Sequence, residues 1–142
     1  MITIADINVL LPILVADHAF HPVAWDWWET RTDASVGLCL LSRLGVLRLL
    51  CNSKVMAGSP VTPLDALRAL DSLAEDPRCI WVESDAGHEL FFRRFVGDRQ
   101  GSPNLWTDAW LAALAASNGF RLTSFDKDFR AFSPLDFELL GT

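Results

Sequence analysis

Short apolar runs of strand length alternate with longer segments of helical spacing, and this alternation constrains the fold more than any other feature of the chain. Met1–Ala5, Val36–Leu40, Cys79–Val82 and Phe120–Ser124 read as strands, with Phe137–Leu140 as a last strand at the sheet edge. Between them the spacing predicts helices from Ile7 onward, over His21–Trp28, over Arg43–Leu50, from Pro63 to about Ala74, over Glu89–Phe95 and over Leu105–Ser117. Pro22 and Pro63 suit first-turn positions, Thr62 suits an N-cap, and Asn118-Gly119 suits a C-terminal stop. Gly97–Asn104 mixes Gly, Pro, Ser and charge without periodicity and reads as a loop. Strands alternating with helices through short connections define an α/β fold.

The length of 142 residues suits one domain spanning 1–142, and a hydrophobic content of 51% is enough to fill one core. The longest apolar stretches, such as Ile7–Val15 and Leu38–Leu41, stop well short of the ~20 residues that cross a bilayer, so no membrane association is expected. Met1-Ile2-Thr3-Ile4-Ala5-Asp6 lacks the basic region and cleavage site of a signal peptide, which predicts a cytoplasmic protein. Cys39, Cys51 and Cys79 are odd in number and widely spaced, and read as reduced core thiols, not as a disulfide framework or a zinc site. The net charge of −6 opposes general binding to phosphates, so affinity for nucleic acid requires a local basic rim. Arg43, Arg48, Arg93, Arg94, Arg99, Arg121, Arg130, Lys54 and Lys127 are the cations from which one could be built.

In an open parallel α/β sheet, ligands bind beyond the carboxyl ends of the strands near a switch in strand order. Asp6 ends the first strand and Asp126 ends the fourth, with Asp128 two residues beyond. Asp108 falls in the first turn of the helix before the fourth strand. If the first and fourth strands are neighbours, these carboxylates converge with no basic residue between them, at a high cost unless a cation sits there. Oxygen ligands without His or Cys favour Mg²⁺ or Mn²⁺ over zinc. Such an ion activates water and stabilises the charge that builds on a phosphodiester under in-line attack, which is nuclease chemistry.

The segments ITIADINVLL, LCLLSRLGVLRLL and WTDAWLAALAASNGFRLTSFDKDF resemble, in order and separation, those of VapC-type PIN-domain toxins, and the likeness covers most of the chain. Its most specific part is the last block, where a helix with an early Asp, a Gly-ended turn, a short strand and an Asp-Lys-Asp-Phe tail occur together. The resemblance implies a three-layer α/β/α sandwich around a short, mostly parallel sheet. It also implies Mg²⁺-dependent endoribonuclease activity on RNA, a homodimer, and inhibition by a VapB-type antitoxin that enters the active site. It puts Asp6, Asp108 and Asp126 in the catalytic, metal-binding positions, with Asp128 beside them and Ser124 as a small polar neighbour on the substrate side. One position departs from the family pattern: Arg43 stands where many PIN domains carry an acid at the start of the second conserved helix. Arg43 is then read as a contact to the RNA phosphate in a one-metal enzyme.

Two other classes compete. A phosphorylatable receiver domain wants paired acids after its first strand, and Asp6 stands alone. A catalytically impaired PIN-like module that only binds RNA or protein is favoured by Arg43. Among the remaining residues, His18 and His21 read as loop and cap residues, and His88 and the Arg93-Arg94 pair as solvated. Trp25, Trp27 and Trp28 cannot all face one core from a single helix, so at least one is expected at the surface. Trp106 and Trp110 are expected to pack in the core or in a dimer contact.

Overall fold

A computed structural model describes residues 1–97, 99 and 101–141. The strands are β1 (Thr3–Ala5), β2 (Val36–Leu38), β3 (Cys79–Trp81), β4 (Arg121–Ser124) and β5 (Asp136–Leu139). The α-helices are α1 (Ile7–Leu14), α2 (His21–Glu29), α3 (Leu40–Leu50), α4 (Pro63–Ala74), α5 (Ala86–Val96) and α6 (Leu105–Asn118), and a 3-10 turn covers Lys127–Ala131. The five strands form one sheet in the order β3-β2-β1-β4-β5, and every pairing is parallel. All three residues of β1 are buried, as a central strand covered on both faces requires.

Successive residues of β1 serve opposite layers. Ala5 joins the cluster built by Val9, Leu10, Trp27, Trp28, Val46 and Leu70 from α1 to α4. Ile4 joins the cluster of Phe95, Leu111, Leu114 and Phe129 from α5, α6 and the 3-10 turn. The result is the expected α/β/α sandwich. The hydroxyls of Thr3 and Thr123 face each other across β1 and β4 at 2.6 Å, which satisfies two buried polar groups inside the sheet.

Local hydrogen bonds set element boundaries that periodicity placed a few residues late. Helix α3 begins at Leu40 and not at Arg43, because the Ser42 hydroxyl accepts from the Cys39 N–H and donates to the Cys39 carbonyl, each at 2.9 Å. Helix α5 begins at Ala86 and not at Glu89, because the Asp85 carboxylate accepts from the N–H groups of Gly87 and His88 at 3.0 and 3.1 Å. Helices α4 and α6 follow the sequence reading closely, from the Thr62 cap and to the Gly119 stop. The loop read over 97–104 includes Asp98 and Gln100, which lie outside the described residues.

Several side chains sit elsewhere than expected. His88 is buried, not solvated: Ser84 Oγ lies 2.6 Å from its Nδ1, its Nε2 lies 2.9 Å from the Trp110 carbonyl, and its ring meets the Trp110 indole edge-on at 4.5 Å. Cys51 is exposed as the C-cap of α3, whereas Cys39 is buried and Cys79 half-buried, and all three are free thiols. Of the two tryptophans expected in the core or in a dimer contact, Trp106 is exposed and Trp110 is half-buried. Trp27 and Trp28 are buried while Trp25 reaches the surface, as their spacing demands. Among the described residues, no helix is long and apolar enough to cross a membrane.

Candidate active site

The switch in strand order falls at β1, whose neighbours are β2 on one side and β4 on the other. Asp6 and Asp126 therefore emerge side by side from the same end of the sheet. The Asp6 N–H donates to the Thr123 carbonyl at 2.9 Å, extending the β1–β4 ladder by one rung. Its extended backbone makes it the N-cap of α1, and its carboxylate accepts from the Ile7 N–H at 2.7 Å and from the Ser124 hydroxyl at 2.8 Å. Asp126 caps the 3-10 turn by accepting from the Asp128 N–H at 2.9 Å. Asp108 comes from the first turn of α6.

Asp108, Asp126 and Asp128 line one open cleft of about 650 Å³, and Asp6, which is nearly buried, is not part of its lining. Burial pushes the Asp108 carboxyl up to about 7, and the negative charges of Asp6, Asp126 and Asp128 push in the same direction. Burial also raises Asp6, against the pull of the Ser124 and Ile7 hydrogen bonds, and Asp126 adds to the rise. None of these four acids takes part in an ion pair among the described residues. The four acids are thus electrostatic neighbours whose repulsion is not neutralised from within the fold.

A donor set of carboxylate oxygens with uncompensated charge fits a hard divalent cation. As the side chains stand, no three His, Cys, Asp or Glu residues among those described close tightly enough around one point to hold an ion. The residues available to hold one are Asp6, Asp108 and Asp126, with Asp128 at the margin.

Of the cations considered for a basic rim, Arg99, Lys127 and Arg130 line this cleft. Arg99 is held in place, with its guanidinium over the Phe132 ring at 4.6 Å and bonded to the carbonyls of Phe95 and Ala131. Arg93 and Arg121 are engaged instead with Glu89 and Asp136. Arg43 does not line the acidic cleft. It projects into a separate groove with Leu40, Trp81, Glu83, Ser84 and Trp110, so it does not neutralise the carboxylates.

Ser124, expected on the substrate side, is fully buried. Its hydroxyl donates to Asp6 and accepts from the Asp126 N–H at 2.9 Å, so it ties the two acids to one another. Asn8 was missed in the sequence. Its amide lies 3.1 Å from Ser124 Oγ, and its carbonyl oxygen accepts from the Phe125 N–H at 3.2 Å, so it holds the chain between the two acids. The available signal was a lone amide in the otherwise apolar run Ile7-Asn8-Val9-Leu10-Leu11.

The sequence profile of the PIN domain matches residues 4–133. Ribonuclease VapC41 of Mycobacterium tuberculosis is 29% identical over 143 residues, covering 97% of this chain and 98% of its own. VapC ribonuclease Mb2897 of Mycobacterium bovis is 30% identical over 132 residues, covering 92% of this chain and 89% of its own. Among solved structures, VapBC2 from Rickettsia felis, bound to a DNA fragment from the promoter, superposes with a TM-score of 0.72 at 12% identity, over 99% of this chain and 100% of that one. At such low identity this last likeness concerns the fold alone. With a profile match over most of its length and full-length ribonuclease relatives, the chain belongs to the PIN-domain family and, within it, to the VapC ribonucleases.

Proposed function

We propose that the chain is the toxin of a VapBC-type pair, an endoribonuclease that uses Mg²⁺ or Mn²⁺ at the cleft formed by Asp6, Asp108, Asp126 and Asp128. One observation carries this reading: acids from three separate elements lie close together without an ion-pair partner, and burial, with their mutual repulsion added to it, lifts Asp108 to about 7. Arg99, Lys127 and Arg130 on the rim of the same cleft supply the positive charge that a net charge of −6 withholds elsewhere, and they receive the RNA phosphates.

A bound divalent ion supplies Lewis-acid polarisation of the scissile phosphate and lowers the pKa of a water. The protein's part is positional. Asp6 is pinned by two hydrogen bonds, Ser124 and Asn8 fix the turn that carries Asp126, and Asp108 approaches from α6. Asp128 faces the cleft and orients a water for in-line attack.

The names of the relatives extend the proposal to a partner. A VapB-type antitoxin would place an Arg or Lys side chain among the same carboxylates, and the cytoplasm is the compartment where both would meet RNA. A homodimer would cover the exposed apolar side chains Leu40, Leu44 and Trp106. The test is RNA cleavage in Mg²⁺ or Mn²⁺ by the native chain, Asp6→Asn and Asp108→Asn. Each variant should lose roughly two or more orders of magnitude in rate with its fold retained, the scale at which removing a charge-stabilising group acts. Undiminished cleavage by either variant overturns the assignment of that acid, and no cleavage by the native chain leaves a binding module.

A further inference from the structure

A second concavity of about 400 Å³ opens at the carboxyl ends of β2 and β3, on the same sheet edge as the acids. Its lining is of mixed chemistry. Trp81, the last residue of β3, keeps 49% of its surface exposed, and the half-buried Trp110 forms another aromatic wall. Arg43 and Glu83 are both exposed in the groove, and neither has an ion-pair partner among the described residues.

Ser84 adds a polarised hydroxyl. The Nε2 of His88 faces the Trp110 carbonyl, which can only accept, so Nε2 carries the ring proton and Nδ1 accepts from the Ser84 hydroxyl. The Ser84 oxygen is left as an acceptor. One flank of the groove therefore offers aromatic faces, another offers acceptors on Glu83 and Ser84, and Arg43 supplies a cation at its mouth.

We propose that this groove is a base-specific subsite for one unpaired nucleotide of the RNA substrate, next to the nucleotide whose phosphate is cut. The base stacks on Trp81, Glu83 and Ser84 accept from an exocyclic amino edge, and Arg43 contacts the phosphate. The inference rests on the ribonuclease reading above and deepens it. Stacking of unpaired bases on aromatic side chains is the common mode of single-strand RNA recognition, and acceptors select amino-bearing bases over uracil. Neighbouring parallel strands lie about 4.8 Å apart, so β3 and β1 are about 10 Å apart, and one strand of RNA running along the sheet edge meets both sites. The adjoining groove of Leu40, Leu41, Leu44, Phe92 and Trp106 is almost wholly apolar and lacks this unpaired charge. Charge complementarity thus separates a nucleotide site from a protein contact.

The experiment maps cut ends on total RNA and measures KM and kcat on a short unstructured RNA for native protein, Trp81→Ala, Trp81→Phe and Glu83→Gln. Trp81→Ala should raise KM roughly tenfold with a far smaller change in kcat, the loss expected for one base stack, and Trp81→Phe should restore most of it. Glu83→Gln should relax the bias against uracil at one position beside the cut. Unchanged KM and unchanged cut-site preference overturn the subsite while leaving the nuclease intact. A change of oligomeric state in Trp81→Ala by light scattering overturns it in favour of a subunit contact. Should the native chain cut no RNA, the ribonuclease reading fails on its own, and anisotropy titrations of oligo-A and oligo-U decide the groove: native protein should prefer oligo-A, Trp81→Ala should bind both more weakly and Glu83→Gln should lose the preference, and binding unchanged in both variants overturns it.

Discussion

Asp108 is half-buried among other acids, and its protonation links the chemistry to stability. In an unfolded chain its carboxyl loses its proton near pH 4, whereas in the fold it does so at about 7. Between those values the folded state holds a proton that the unfolded state has released, so stability falls as pH rises through this window. Its contribution is fully present below about pH 4 and is gone above about pH 7. In chelator, the native melting temperature should therefore decline from pH 5 to pH 7.5 more steeply than that of Asp108→Asn. Equal slopes would show that Asp108 carries no such charge conflict. Asp6 is raised in the same sense by burial and acts in the same direction. Asp6 and Asp126 stood out as candidates in the sequence because they follow strand ends, and Asp108 because it falls in the first turn of a helix. The roles of Ser124 and Asn8 were not, since hydrogen bonds between residues 116 or more positions apart leave no local pattern.

Element ends decide where these side chains point. Helix α6 stops at Gly119, whose backbone is left-handed with φ of 68°, and the chain then enters β4 toward Ser124 and Asp126. A Cβ at Gly119 would meet nothing within 4 Å, so Gly119→Ala isolates the conformational cost. That cost should be about 1 kcal/mol, read by denaturant titration, with RNA cleavage retained. A neutral result would mean that the turn relaxes out of the left-handed region. The start of α3 teaches the reverse lesson. Periodicity alone begins the helix at Arg43, and the Ser42 hydrogen bonds to Cys39 move its start back to Leu40. That shift puts Arg43 within the helix, where it faces the groove beside Trp81.

For the molecule as a whole, one sheet separates two apolar clusters and gathers the acids at one edge. Both layers pack on the same five strands, so the chain should melt in one transition and behave as a single domain. An ion that binds only the folded cleft raises that transition by mass action, by about 2.7 kcal/mol at a hundred times its dissociation constant. For a chain of this length the gain is on the order of 5–10 °C. Calorimetry with and without Mg²⁺ or Mn²⁺ should show the whole peak move upward in native protein and hardly at all in Asp108→Asn. A native peak that does not move counts against cation binding at the cleft.

The sequence by itself determined the α/β class, the order of elements and most helix ends, and it offered the acids as candidates, because hydrophobic period, caps and turn residues act over a few positions. Tertiary structure alone decided that β1 lies between β2 and β4, which brings Asp6 beside Asp126 and separates Arg43 from both. It also decided that His88 is buried and that Trp81 and Trp106 are exposed. Those outcomes depend on which faces meet across the sheet, and pairing between distant segments is a property of the packed chain, not of any local stretch of it.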